Sequence, residues 1–201
     1  MLLTGFAPWD HYERNAACEL LRAQAPSGPR GWCIRRVEVP VSWQRAWPTV
    51  AAAWDDSVQA VVAFGQAEDD AVRIERFAVN ASSRSAVDVD GARFEGDWNI
   101  PQGAAALHTS LPWRRLEQAL DAAGLPVRTS LSAGDYLCNH LAYRVLDRAA
   151  NERATMMAGF VHVPTLARMG LADLNRVREV VVEALIDHLE VAAEAVAQAR
   201  A

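Results

Sequence analysis

Short apolar runs alternate with stretches of helical periodicity along the chain. "MLLTGF" at the start, "WCIRRVEVPV", "QAVVAFG", "VRIERFAVN", "PVRTSLSAG" and "MMAGFVHVP" are apolar or β-branched runs of strand length. Between them, "NAACELLRAQA", "WQRAWPTVAAAWDD", "WRRLEQALDAAG" and "SAGDYLCNHLAYRVLDRAA" repeat their apolar positions at three and four residues. Pro48 is expected to begin or bend the second of these helices, and Gly124 to end the third. A long last helix is predicted from about Asp173, with Leu174, Val177, Val181, Leu185 and Leu189 along one face. Residues 81–112 read as irregular, with a turn at Asp90-Gly91. This alternation predicts an α/β fold: a three-layer α/β/α sandwich with a mixed, largely parallel central sheet. No repeat or linker-like stretch interrupts it, so residues 1–201 are expected to form one domain.

Composition narrows the chemistry. The 201 residues are 51% apolar and carry seven tryptophans, which argues against intrinsic disorder. A net charge of -5 without a basic run gives nucleic acid nothing to hold. All twenty basic residues are arginine; with no lysine, a P-loop and a Schiff-base mechanism are excluded. The start lacks a charged segment before a long apolar one and is expected to be a strand rather than a signal peptide. No run approaches the roughly 18 apolar residues of a membrane span. Cys18, Cys33 and Cys138 have no metal-ligand spacing and cannot all pair, so a cytoplasmic protein with reduced thiols is expected.

Cys138 stands where a Gly-Asp turn runs into an amphipathic helix. Free N–H groups and the helix dipole stabilise a thiolate in a first turn and can serve an acyl-transfer oxyanion. A small buried apolar side chain is the plainer alternative. Positions two apart on a helix point about 200° from each other, so His140 faces away from Cys138 on the polar side with Arg144. His11, His108 and His188 lie in polar contexts and are expected at the surface. His162 differs, because it sits inside a strand near the end marked by Pro164, and sites in open α/β sheets gather at the carboxyl ends of strands; a satisfied core histidine is the equal alternative. Glu75 is an acid within a strand, which pattern alone pairs with Arg73 or Arg76 on a solvent-facing surface. Asp88 and Asp90 read as turn residues.

The motifs "AGDYLCNHLAY", "GFVHVP", "GQA" followed by "IERFAVN", and "TGFAPWDHYERN" resemble, in matching order, those of the pyroglutamyl peptidase I family. "VPVSW" and "TSLPW" extend the similarity over most of the chain. The resemblance implies a cysteine exopeptidase that removes N-terminal pyroglutamate from peptides, needs no metal or cofactor, and commonly forms homo-oligomers. It assigns Cys138 as nucleophile, His162 as general base and acid, and Glu75 as the acid orienting the imidazole. It places Phe6, Trp9, Tyr136 and Leu137 around the lactam, with the backbone of Gln66 recognising it. The loops depart from the family pattern: Glu68-Asp69-Asp70 replace a glycine pair and an arginine, Asp10-His11-Tyr12 replace glycines, and Trp9 replaces phenylalanine. Asp135 stands where a threonine is usual, a carboxylate expected to raise the thiol pKa, and Arg84 is off register for a family arginine. A silent homologue that binds a peptide terminus or small ligand, and an amidase of shifted specificity, are the alternatives.

Overall fold

The computed structural model describes residues 1–22, 28–152 and 155–200. In chain order the strands are β1 (Leu2–Phe6), β2 (Arg35–Val39), β3 (Ala60–Ala67), β4 (Val72–Glu75), β5 (Phe77–Val79), β6 (Ala106–His108), β7 (Val127–Ser130) and β8 (Met157–Pro164). The α-helices are α1 (Ala16–Arg22), α2 (Ala46–Ala53), α3 (Trp113–Ala122), α4 (Leu137–Glu152) and α5 (Leu171–Arg200). Residues 23–25, included in the first expected helix, lie outside the described residues.

Six strands form the main sheet in the order β2-β1-β3-β8-β4-β7. Every neighbouring pair is parallel except β4 with β8. Strands β3 and β8 are buried along most of their length, which explains their continuous apolar runs rather than an alternating pattern. Side chains of alternate residues serve opposite faces. On one face Leu3, Val62, Phe64, Val161, Val163, Val72 and Ile74 pack with α1, α3 and α5. On the other, Leu2, Phe6, Val61, Ala63, Ala158 and Phe160 pack with α2 and α4. This is the expected mixed, largely parallel α/β/α sandwich.

Two local expectations differ. The run "VRIERFAVN" is not one strand: it breaks at Arg76, after which β5 leaves the main sheet and pairs antiparallel with β6. Residues 81–112 are therefore not wholly irregular, since β6 lies among them and Val87 bridges Arg93. The turn at Asp90-Gly91 is present, with Asp88 as its anchor: the buried carboxylate accepts bonds from the N–H groups of Asp90, Ala92 and Trp43. Pro48 lies in the first turn of α2, where a missing N–H costs nothing.

His140 also departs from the polar-face expectation. It is 4% exposed, its Nδ1 lies 2.8 Å from Asn99 Oδ1, and its ring packs edge-on to Trp43. The segment between β5 and β6 folds over that side of α4 and buries it. Asn139 ties this cover down: its Oδ1 accepts from Val79 N at 2.9 Å, and its Nδ2 donates to Val79 O and Ala81 O at 3.0 and 2.8 Å.

Candidate active site

The candidate residues meet at the carboxyl ends of β3 and β8, on the face covered by α4. His162 and Phe160 point to that face from β8, and Arg73 and Glu75 do so from β4. A bond of 2.7 Å joins His162 Nδ1 to Glu75 Oε1 across 87 residues of sequence. Both partners are buried, at 4% and 2% exposure. Glu75 is thus not the acid of a solvent-facing strand. With Nδ1–H donating to the carboxylate, Nε2 is left as the basic nitrogen.

Cys138 is the second residue of α4, so its N–H is among the first-turn donors that a helix cannot satisfy internally. Its sulfur sits over β3: a Cβ built on Gly65 would lie 3.1 Å from Sγ and 2.7 Å from the Phe160 ring. Gly65 is the register partner of His162, so the thiol that α4 brings over Gly65 lies at the level of the imidazole on the adjacent strand. Such strands are about 4.8 Å apart. Only glycine permits this approach. The turn into α4 also depends on glycine, since Gly134 has φ 86°.

Burial acts on both groups in the direction of their neutral forms. It pushes the half-buried Cys138 thiol up to about 12, assisted by the Glu75 carboxylate and opposed by Arg73. It pulls His162 below the ordinary histidine value, against the bond to Glu75. Asp135 is exposed and not among the groups acting on the thiol, so the expected carboxylate effect comes from Glu75 instead.

Beside the thiol, Phe6 ends β1, Leu137 is 1% exposed, and Trp9 packs on Tyr136 with ring centroids 5.1 Å apart. Trp43 adds an edge-on contact to Tyr136, whose hydroxyl donates to Val87 O at 2.7 Å. Gln66 is half-buried; its side-chain Oε1 accepts from Ala16 N at 2.8 Å, holding the start of α1. The ladder between β1 and β3 stops at Gly5 and Phe64, while β3 runs on to Ala67.

Sequence reasoning missed how the acidic loop is held. Arg168 meets Glu68 at 3.0 Å and Asp70 at 2.5 Å, Tyr12 donates to Glu68, and Asp69 pairs with Arg128 and Arg73. The loop is a cross-brace between segments following β1, β3 and β8, with each carboxylate matched by an arginine. The expected pairing of Glu75 with Arg73 is present, with Nε 3.2 Å from Oε1, but on a buried face rather than a solvent-facing one. His11, His108 and His188 are exposed as expected, and exposed Arg84 pairs with Asp97. The three cysteines are free. Among the described residues, no three His, Cys, Asp or Glu side chains are grouped to hold a metal, and no helix is long and apolar enough to cross a membrane.

A family model for pyroglutamyl peptidase matches residues 1–199. The chain belongs to the pyroglutamyl peptidase family. It is accordingly an enzyme of the cysteine peptidase type. The pyrrolidone-carboxylate peptidase of Streptococcus pneumoniae strain 70585 is 32% identical over 200 residues, covering 94% of this chain and 93% of that protein. That of Levilactobacillus brevis is 33% identical over 168 residues, covering 83% and 82%. Among solved structures, a mutant pyrrolidone carboxyl peptidase of Pyrococcus furiosus superposes with a TM-score of 0.88 at 24% identity, covering 94% of this chain and 98% of that one. Pyroglutamyl peptidase I of Bacillus amyloliquefaciens gives 0.83 at 24% identity, with 92% and 95% covered. At these identities the two structures speak for the fold.

Proposed function

We propose that this peptidase removes N-terminal pyroglutamate from peptides, with Cys138 as nucleophile, His162 as general base and acid, and Glu75 as the group that orients the imidazole. The observation that carries the assignment is the buried 2.7 Å bond from His162 Nδ1 to Glu75 Oε1, on the sheet face where the Cys138 sulfur sits. Burial favours a neutral thiol and a neutral imidazole, so the thiol proton passes to His162 Nε2 as sulfur attacks the lactam-bearing carbonyl. First-turn N–H groups of α4 face the developing oxyanion. Collapse breaks the amide bond, and the departing amine takes the proton from His162. Water, deprotonated by the same imidazole, then hydrolyses the thioester and regenerates the thiol.

Pyroglutamate is a small neutral lactam. Phe6, Trp9, Tyr136 and Leu137 supply apolar walls for it, and the free edge of β3 at Gln66 supplies backbone hydrogen bonds. The chemistry asks nothing of a metal or cofactor. The test is release of aminomethylcoumarin from its pyroglutamyl derivative. Turnover is expected from the native protein and a loss of at least about 10³-fold from Cys138→Ala. Equal rates for the two, or no turnover by the native protein, would refute the assignment.

A further inference from the structure

The His162–Glu75 pair has a third member that the proposed chemistry does not use. Arg73 lies two residues before Glu75 on the same face of β4 and is the cross-strand partner of His162. Its Nη2 is 3.2 Å from His162 Nδ1, and its Nε is 3.2 Å from Glu75 Oε1. On its far side, Nη1 meets Asp69 Oδ2 at 3.6 Å, and Asp69 is held in turn by Arg128 of β7. The side chain is only 23% exposed, so solvent screens it little.

Charge balance makes this arrangement informative. A buried carboxylate stays ionised only beside a cation or several donors. Glu75 has one bond, to His162, and its Oε2 is buried without a hydrogen-bond partner. A histidine held neutral by its own burial cannot be the counter-ion. The guanidinium is the remaining charge at that carboxylate. We propose that Arg73 is a positioning residue that supplies the counter-charge to the Glu75 carboxylate beside His162, and so sets the pH range in which Cys138 and His162 work.

The inference rests on the catalytic reading above, but its sign follows from electrostatics alone. The groups facing the histidine and thiol are Glu75 and Arg73 on β4, Asp69 on the loop after β3, and Tyr136 beside Cys138 at the start of α4. Arg73 is the one cation among them. A nearby cation favours the thiolate and disfavours the imidazolium, which lowers both transitions. Removing it moves both toward alkaline pH.

The experiment compares Arg73→Met, Arg73→Gln and Arg73→Lys with the native protein, each checked for folding by circular dichroism. Two neutral variants are made so that one folded protein suffices. The pH dependence of Cys138 alkylation by iodoacetamide is followed by the mass of its own peptide, which separates it from exposed Cys33. The acid limb of kcat/KM is measured on pyroglutamyl-aminomethylcoumarin. Both midpoints are expected to rise by about one pH unit in the neutral variants and to stay near native in Arg73→Lys. Midpoints that do not move in the neutral variants, or that move as far in Arg73→Lys, would overturn the role of Arg73. Should the native protein fail to turn over the substrate, the proposed function falls, while the alkylation profiles still decide the role of Arg73.

Discussion

At the scale of single residues, the site is governed by what is missing from one of them. Gly65 has no side chain, and the space this leaves is taken by the Cys138 sulfur and the Phe160 ring. A methyl group there would meet ring carbons at 2.7 and 2.9 Å, distances that a packed core cannot absorb without movement. Phe160 neighbours His162 with ring centroids 4.9 Å apart, so displacement passes to the imidazole as well. Gly65→Ala is therefore expected to lower kcat by about 10²-fold, since a misplacement of about 1 Å costs on that order. Its KM should change less, because the added methyl meets Phe160 and Cys138 first rather than Phe6, Trp9 or Tyr136. Steady-state kinetics on the coumarin substrate measure both, and a variant with native kcat would show that the thiol has room to spare.

At the scale of elements, α4 is positioned from both ends of its first turn. The Gly134 turn sets its direction of entry, and Asn139, the residue after Cys138, fastens it by two hydrogen bonds to Val79 of β5 and one to Ala81 just beyond. Asn99 reaches Val79 O as well, at 2.9 Å, and also meets His140, so the cover segment and the helix share one buried polar network. Each such group left unsatisfied costs about 1–3 kcal/mol. Asn139→Leu strands the N–H of Val79 and weakens the hold on two carbonyls, an expected loss of about 2–4 kcal/mol in urea unfolding. Activity should fall further than the unfolded fraction accounts for, because the helix carrying the nucleophile is loosened. A variant with native stability would mean that water replaces the amide.

At the scale of the whole molecule, the sheet separates support from chemistry. Helix α5 presents Leu174, Val177, Val181 and Leu185, each fully buried, to the face opposite α4. Leu185→Ala is expected to cost about 2–5 kcal/mol, the usual range for a cavity in a packed core. Since Cys138, His162 and Glu75 lie across the sheet, the folded fraction should keep a near-native kcat. Thermal unfolding combined with kinetics below the transition tests this. A large fall in kcat without loss of stability would show that the two faces are coupled. The acidic cross-brace belongs to the same scale, because Glu68, Asp69 and Asp70 join loops that are far apart in sequence and all carry arginine partners.

How much of this was legible in the chain follows from the range of each interaction. Strand and helix order, the buried stripe of α5 and the exposed histidines are local patterns of period two or 3.6, set by backbone geometry and water, and the sequence alone determined them. Cys138 at a helix start and His162 near a strand's end were legible for the same reason, although only the family resemblance joined them to Glu75. Tertiary structure decided the rest. The break at Arg76 depends on β6 being available to take β5, and His140 is buried by a segment about 40 residues away. Glu75 reads as a surface acid until β8 brings His162 to it and Arg73 closes the charge balance. Burial and electrostatics act through space, and neither is written in the spacing of neighbours along a chain.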